Sequence, residues 1–289
     1  MSKPQWITAG IAILLLMGLY AATQKHLFGK SKIRKEMAEH DHGHGGFSTD
    51  SVLYYAKKAL SPEQVIRINS LEHNISGGDV KEEQLHVYHQ LARFWRDSAR
   101  IFAPYAWYTA EAARLENSEK SLTFAAHLFL DGLRLQLSPG LEHWQAEQAQ
   151  DLFERSLKLN PVNDSSRVGL GAALLYSGHE PPMQAIGRIR EVVERDSNHV
   201  FAQTILAEAS LMSGQFDKAL ERYERAEQLK PGNLEMIFRV AETAERLGRN
   251  KDAARWYNRA LQYIDNAPAH IDKAAMKTEV KAKIAKLNQ

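Results

Sequence analysis

The chain has no cysteine, which excludes disulfides, thiolate metal ligands and a cysteine nucleophile. It leaves the compartment open, because cysteine-free proteins occur on both sides of a bacterial membrane. Structure-breaking residues are scarce: 9 prolines and 17 glycines in 289 residues. Set among many Ala, Leu, Glu, Arg and Lys, they favour helix over sheet. Excess charge of one sign is also missing. Lys+Arg total 37 against Asp+Glu 35, so nucleic acid is not expected as a partner. There is no phosphate-cradling glycine loop, no nucleophile elbow and no His-Glu-x-x-His pair. The expectation is therefore a protein that is not an enzyme and carries no cofactor. At 44% hydrophobic residues the chain is too apolar to be disordered throughout.

One long apolar run is present. Residues 6–22, WITAGIAILLLMGLYAA, carry no charge and at helical rise span about 26 Å, the short end of a transmembrane helix. Trp6 and Tyr20 stand at its ends, where interfacial aromatics belong. A cleaved signal peptide is the alternative, but Leu19/Ala21 and Tyr20/Ala22 put a large residue where cleavage wants a small one. Lys3 precedes the run, and Lys25, Lys30, Lys32, Arg34 and Lys35 come after it. The positive-inside rule then gives a single-pass protein of the cell inner membrane with its soluble domain cytoplasmic, a periplasmic domain being the alternative. On this reading residues 1–5 are a short tail and 6–22 an anchor.

Residues 23–50 read as a linker, basic first and then rich in His and Gly. His40, His42 and His44 alternate with Asp41 and Gly43, a spacing able to offer imidazoles to a transition metal. The plainer reading is a flexible polar spacer, so these three are weak metal candidates and no metal site is assigned. His86 and His89, three apart on one helix, with His127 further on, are a second weak set. Histidines on a polar helix face are more often simply solvated.

Residues 51–84 form an N-terminal helical hairpin that leads into the helices from Leu85 onward. Ser61-Pro62-Glu63-Gln64 has the capping serine, first-turn proline and Gln three places after the cap that open a helix. Gly77-Gly78 ends the hairpin, and Asp79 caps a helix running to about Ala99 with Leu85, Tyr88, Leu91, Ala92 and Trp95 as its apolar stripe. Glu119 opens another helix to about Leu137, after which comes an irregular SPGLEHW segment.

A rhythm then becomes regular. Leu206-Ala207, Gly214, Phe216, Ala219, Tyr223, Ala226 and Pro231 make its cleanest copy, and Gly248, Ala253, Tyr257 and Ala260 each lie 34 residues after Gly214, Ala219, Tyr223 and Ala226. Looser versions run through Ala149, Phe153, Ser156 and Pro161, and through Leu170-Gly171, Gly178, Ala185, Ile189 and Val192. This set resembles the tetratricopeptide repeat, whose period is about 34 residues. Two departures from the family pattern are plain: Gln203 and Ile237 replace its usual tryptophan, and the second copy has about eleven extra residues around Leu130 to Trp144.

The resemblance implies an all-α, right-handed helical-hairpin solenoid of the tetratricopeptide type, here with the N-terminal transmembrane helix added. About five copies occupy 85–267, and a C-terminal capping helix 268–289. A membrane-binding amphipathic helix is the alternative for that last segment, since Lys273, Lys277, Lys281, Lys283 and Lys286 line it.

It also implies a concave, partner-binding groove lined by the first helix of each copy. In register, the groove residues are Arg93, Arg96, Tyr176, Phe201, Thr204, Glu208, Leu211, Met212 and Phe238, and His86, His89, Thr123, His127, Leu130, Val168, Ala172, Leu175, Glu242 and Glu245 fall on the same surface. For Val168 and Ala172, packing within the chain is an equal expectation. Val168, Ala172 and Thr204 stand where family members that clamp carboxylates present Lys, Arg or Asn, which argues against a clamp. The expected function is a membrane-tethered scaffold that binds a peptide or helix of a protein partner. The alternatives are a His-rich metal-handling protein and an accessory subunit of envelope assembly or secretion.

Overall fold

The computed structural model describes residues 47–73, 80–133, 139–178, 180–267 and 271–289, and every regular element among them is helical. The chain divides into two compact units, Met1–Glu180 and Pro181–Gln289. The first contains α1 (Thr49–Lys57), α2 (Pro62–His73), α3 (Lys81–Arg93), α4 (Phe102–Glu116), α5 (Glu119–Leu133), α6 (Pro139–Leu159) and α7 (Asp164–Ser177), with a π-helical turn at Phe94–Ala99. The second contains α8 (Pro182–Arg195), α9 (Val200–Met212), α10 (Phe216–Leu229), α11 (Leu234–Arg246), α12 (Asn250–Tyr263), a 3-10 turn at Ile264–Asn266 and α13 (Lys273–Leu287).

Helix ends arise from local chemistry. The Ser61 backbone N–H donates to Gln64 Oε1 at 3.0 Å and the Gln64 N–H to Ser61 Oγ at 3.3 Å, a reciprocal cap. Asn163, His199 and Asn233 cap α7, α9 and α11, each accepting from the N–H three residues on. Gly214 and Gly248 adopt φ of 73° and 71°, the left-handed conformation that reverses the chain cheaply only without a Cβ. The next residue's N–H then closes the helix end: Gln215 to Ser210 O at 2.8 Å and Arg249 to Ala244 O at 2.9 Å. Asn117, φ 56°, does the same work after α4.

In the first unit α3 packs on α4, α5 on α6, and α6 on α7. Trp95, Leu91 and Ile68 are fully buried in the cluster beneath α2 and α3. Trp144 Nε1–H donates to Thr49 Oγ1 at 3.1 Å, tying the start of α1 to α6. The segment read as irregular is helical from Pro139 onward, and α6 runs for 21 residues. Proline is tolerated in a first turn because its missing N–H would find no intrahelical partner there. Much of the extra length of this copy is thus extra helix, with Leu141, Trp144 and Gln145 turned inward. The helix expected to reach Ala99 passes into the π turn after Arg93, closed by the Ile101 N–H on Trp95 O at 3.0 Å. Asp79 lies outside the described residues.

In the second unit α9 pairs with α10, α11 with α12, and α13 packs on α12. Ala219, Ala226, Ala253 and Ala260 are almost wholly buried, and Tyr223 and Tyr257 completely so. The alanines and tyrosines that repeat at 34 are therefore packing residues: small side chains let helices approach to about 8–10 Å and the tyrosine fills the space beside them. Gln203, in place of the usual tryptophan, is buried but satisfied. Its Nε2 donates to Ser197 O at 2.9 Å and its Oε1 accepts from Arg222 at 2.9 Å.

The expected membrane topology is corrected. No helix among the described residues is long and apolar enough to cross a membrane, so a single-pass inner-membrane protein is not supported, on either side. Residues 6–22, on which that expectation rested, lie outside the described residues, as do His40, His42 and His44.

Candidate partner-binding surface

In the first unit the expected groove residues separate into two groups. Arg93 and Arg96 are exposed at the end of α3 and in the π turn. Arg96 is held by its neighbour, Nε to Asp97 Oδ1 at 2.8 Å and Nη2 to Oδ2 at 3.1 Å, with its guanidinium 5.9 Å from the Tyr105 ring centre. Its hydrogen bond holds Asp97 below the usual carboxylate range. Arg93 also lies within electrostatic reach of Asp97. His86 and His89 are exposed on the same helix, and His86 Nε2 lies 2.8 Å from Gln90 Nε2.

The other group is turned into the fold. Thr123 Oγ1, Ser156 Oγ and Ser166 Oγ form a closed triangle with sides of 2.8, 2.9 and 2.8 Å, joining α5, α6 and α7. Ser156 and Ser166 are fully buried, and the triangle supplies the partners that buried hydroxyls need. His127 Nε2 lies 3.0 Å from Ser165 Oγ and its ring meets Phe153 edge-on at 5.3 Å. Burial pushes its pKa down. Leu130, Val168, Ala172 and Leu175 are buried. Tyr176 is half-buried.

In the second unit α9 has two distinct faces. Ala202, Gln203, Ile205, Leu206, Ala207 and Ala209 are buried. Phe201, Thr204, Glu208 and Leu211 are half-buried, and Met212 is 62% exposed. Thr204 Oγ1 donates to Val200 O at 3.0 Å. Phe238 is half-buried on α11, its ring 6.3 Å from that of Tyr257.

Two residues in this region were not singled out as binding residues in the sequence. Arg239 lies within electrostatic reach of Glu208, Tyr223, Glu235 and Glu242, its nearest ion pair being Glu235 at 3.8 Å. Lys283 of α13 reaches Glu245 Oε2 at 3.2 Å and Tyr257 Oη at 2.8 Å, while the Tyr257 hydroxyl donates to Glu245 at 2.9 Å. Burial, then Glu245 and Glu242, push the Tyr257 pKa up. Nothing in a lysine-rich helix marks which lysine turns inward.

A concavity of about 440 Å3 lies along one side of α12, lined by Arg255, Asn258, Arg259, Gln262 and Tyr263. Both arginines are already paired, Arg259 with Glu227 at 2.6 Å and Arg255 with Asp252. Among the described residues there is no group of three or more His, Cys, Asp or Glu able to hold a metal ion.

Residues 210–276 match one family model described as tetratricopeptide repeat, and residues 172–234 match another of the same description. No curated protein matches the chain. Among solved structures, MamA 41-end from Desulfovibrio magneticus RS-1 is 20% identical over 66% of this chain and 99% of its own, with a TM-score of 0.43. A second MamA structure is 18% identical over 57% and 90%, TM-score 0.40. YrrB, described as a TPR protein with an unusual peptide-binding site, is 18% identical over 73% and 97%, TM-score 0.38.

Proposed function

For a chain whose residues 172–276 match tetratricopeptide-repeat models, we propose an interaction scaffold that holds a segment of a protein partner and performs no chemistry itself. The binding surface is the face of α9 and α11 that carries Phe201, Thr204, Leu211, Met212 and Phe238. The observation that supports it is the two-sidedness of α9. One face is buried by alanines and branched residues, while the other keeps Phe201 and Leu211 half-open and Met212 62% exposed. Apolar side chains gathered on an open face are the usual anchors of an interface, and methionine adapts to irregular partners.

The remaining expected residues take secondary places in this proposal. Arg93 and Arg96 belong to a polar surface of the first unit. Glu208 and Glu242 supply charge beside the apolar anchors. The test is affinity capture with the whole chain and with a Phe201→Asp, Leu211→Asp, Met212→Asp variant. Loss of the captured partner with an unchanged circular dichroism spectrum is expected. Equal capture by both proteins rejects this surface.

A further inference from the structure

Glu242 lies on α11 one helical turn after Phe238 and one before Glu245 and Arg246. It is half-buried, and among the described residues it accepts no hydrogen bond and has no cation at ion-pair distance. The charged groups around it are Arg239, Lys283, Arg246 and Glu245. Each of the three cations is engaged elsewhere. Arg239 leans toward Glu235 at 3.8 Å, Lys283 is seated on Glu245 and Tyr257, and Arg246 lies 5.8 Å from the Phe216 ring centre. A carboxylate has about four lone-pair positions to fill, and partial burial without donors is costly. Burial, opposed by those cations, leaves its pKa raised.

The same face shows what fills such a place. The Lys283 ammonium sits between Glu245 Oε2 and Tyr257 Oη, 4.9 Å from the Tyr257 ring centre. Carboxylate, phenol oxygen and ring together hold a primary amine. Glu242 and Phe238, one helical turn apart on α11, bring a second carboxylate and a second ring to this helix.

We propose that Glu242 receives a lysine or arginine side chain of the partner, its alkyl part lying along Phe238, so that the bound segment is both cationic and apolar. This rests on the groove proposed for α9 and α11 and adds the chemistry of the segment. The apolar anchors meet Phe201, Leu211 and Met212, and the cation fixes register along α11. A charge-assisted hydrogen bond in a half-buried site is stronger than a neutral one and discriminates against acidic segments.

The test selects binders from a displayed library of randomised short peptides. It uses the full chain, the Glu242→Gln variant, and the Phe201→Asp, Leu211→Asp variant as counter-selection. Peptides enriched on the native chain are expected to carry Lys or Arg beside apolar residues. They are expected to bind Glu242→Gln at least tenfold more weakly and to lose affinity as salt rises. Enriched peptides without basic residues, or with equal affinity for Glu242→Gln, overturn the cation proposal and leave the groove standing. Enrichment no greater than on the Phe201→Asp, Leu211→Asp variant removes the groove, and the cation proposal with it.

Discussion

The ring of Phe153 on α6 lies directly over Gly169 on α7, so closely that a Cβ at Gly169 would stand 2.2 Å from Phe153 Cζ. Both residues are buried, and the ring is also pressed by His127 from α5. Gly169→Ala is therefore expected to force the ring aside and destabilise the first unit by about 1–3 kcal/mol. Denaturant titration of the whole chain measures this, and an unchanged unfolding curve contradicts it.

Gly187, inside α8, is the opposite case. A Cβ there meets nothing within 4 Å, and its backbone is helical. Gly187→Ala is expected to stabilise the second unit by about 0.4–1 kcal/mol, mainly by reducing the freedom of the unfolded chain. A rise in thermal midpoint checks it.

Glu242→Gln removes a half-buried charge that has no donor among the described residues, and a gain of about 0.5–2 kcal/mol at neutral pH is expected. Because the folded pKa is raised, the native residue's contribution is most favourable below the unfolded value and is lost as pH rises through the folded one. The advantage of the variant should therefore vanish below about pH 4. Stability curves at acid and neutral pH test the sign, and an advantage independent of pH contradicts it.

His127 acts in the other direction. Burial lowers its folded pKa, so the unfolded chain binds the proton more readily, and stability falls as pH drops from about 6.5 through the folded value. His127→Gln is expected to flatten that part of the pH dependence. Denaturant midpoints measured between about pH 7 and pH 5 decide it.

Much of the second unit was legible from spacing, because each repeated residue does one structural job wherever it recurs. Gly214 and Gly248 supply the same left-handed turn, and Tyr223 and Tyr257 fill the same kind of buried space. The first unit was harder. Pro139 and Gly140 look like breakers in sequence, yet a proline opening a helix costs no hydrogen bond, and Trp144 and Gln145 beyond them are buried. Thr123 and His127 have the polarity of surface residues, and what places them inside is the company of Ser156, Ser165 and Ser166. Those partners lie 33 to 43 positions away in the chain, beyond any local pattern. The candidate surface was legible as helix register on α9, but Lys283 was not, since its inward direction depends on how α13 lies on α12.

The bond from Trp144 to Thr49 joins residues 95 positions apart, whereas Lys283 and Glu245 are 38 apart. Closing the longer loop costs about 0.8 kcal/mol more chain entropy, and contacts of high sequence separation slow the search for the native state. The second unit can assemble by zipping neighbouring hairpins, one period at a time. In the first, α1 packs on α4, but its bond to α6 closes only when the chain as far as Trp144 has been made, so during synthesis Thr49 must wait for Trp144 to leave the ribosome.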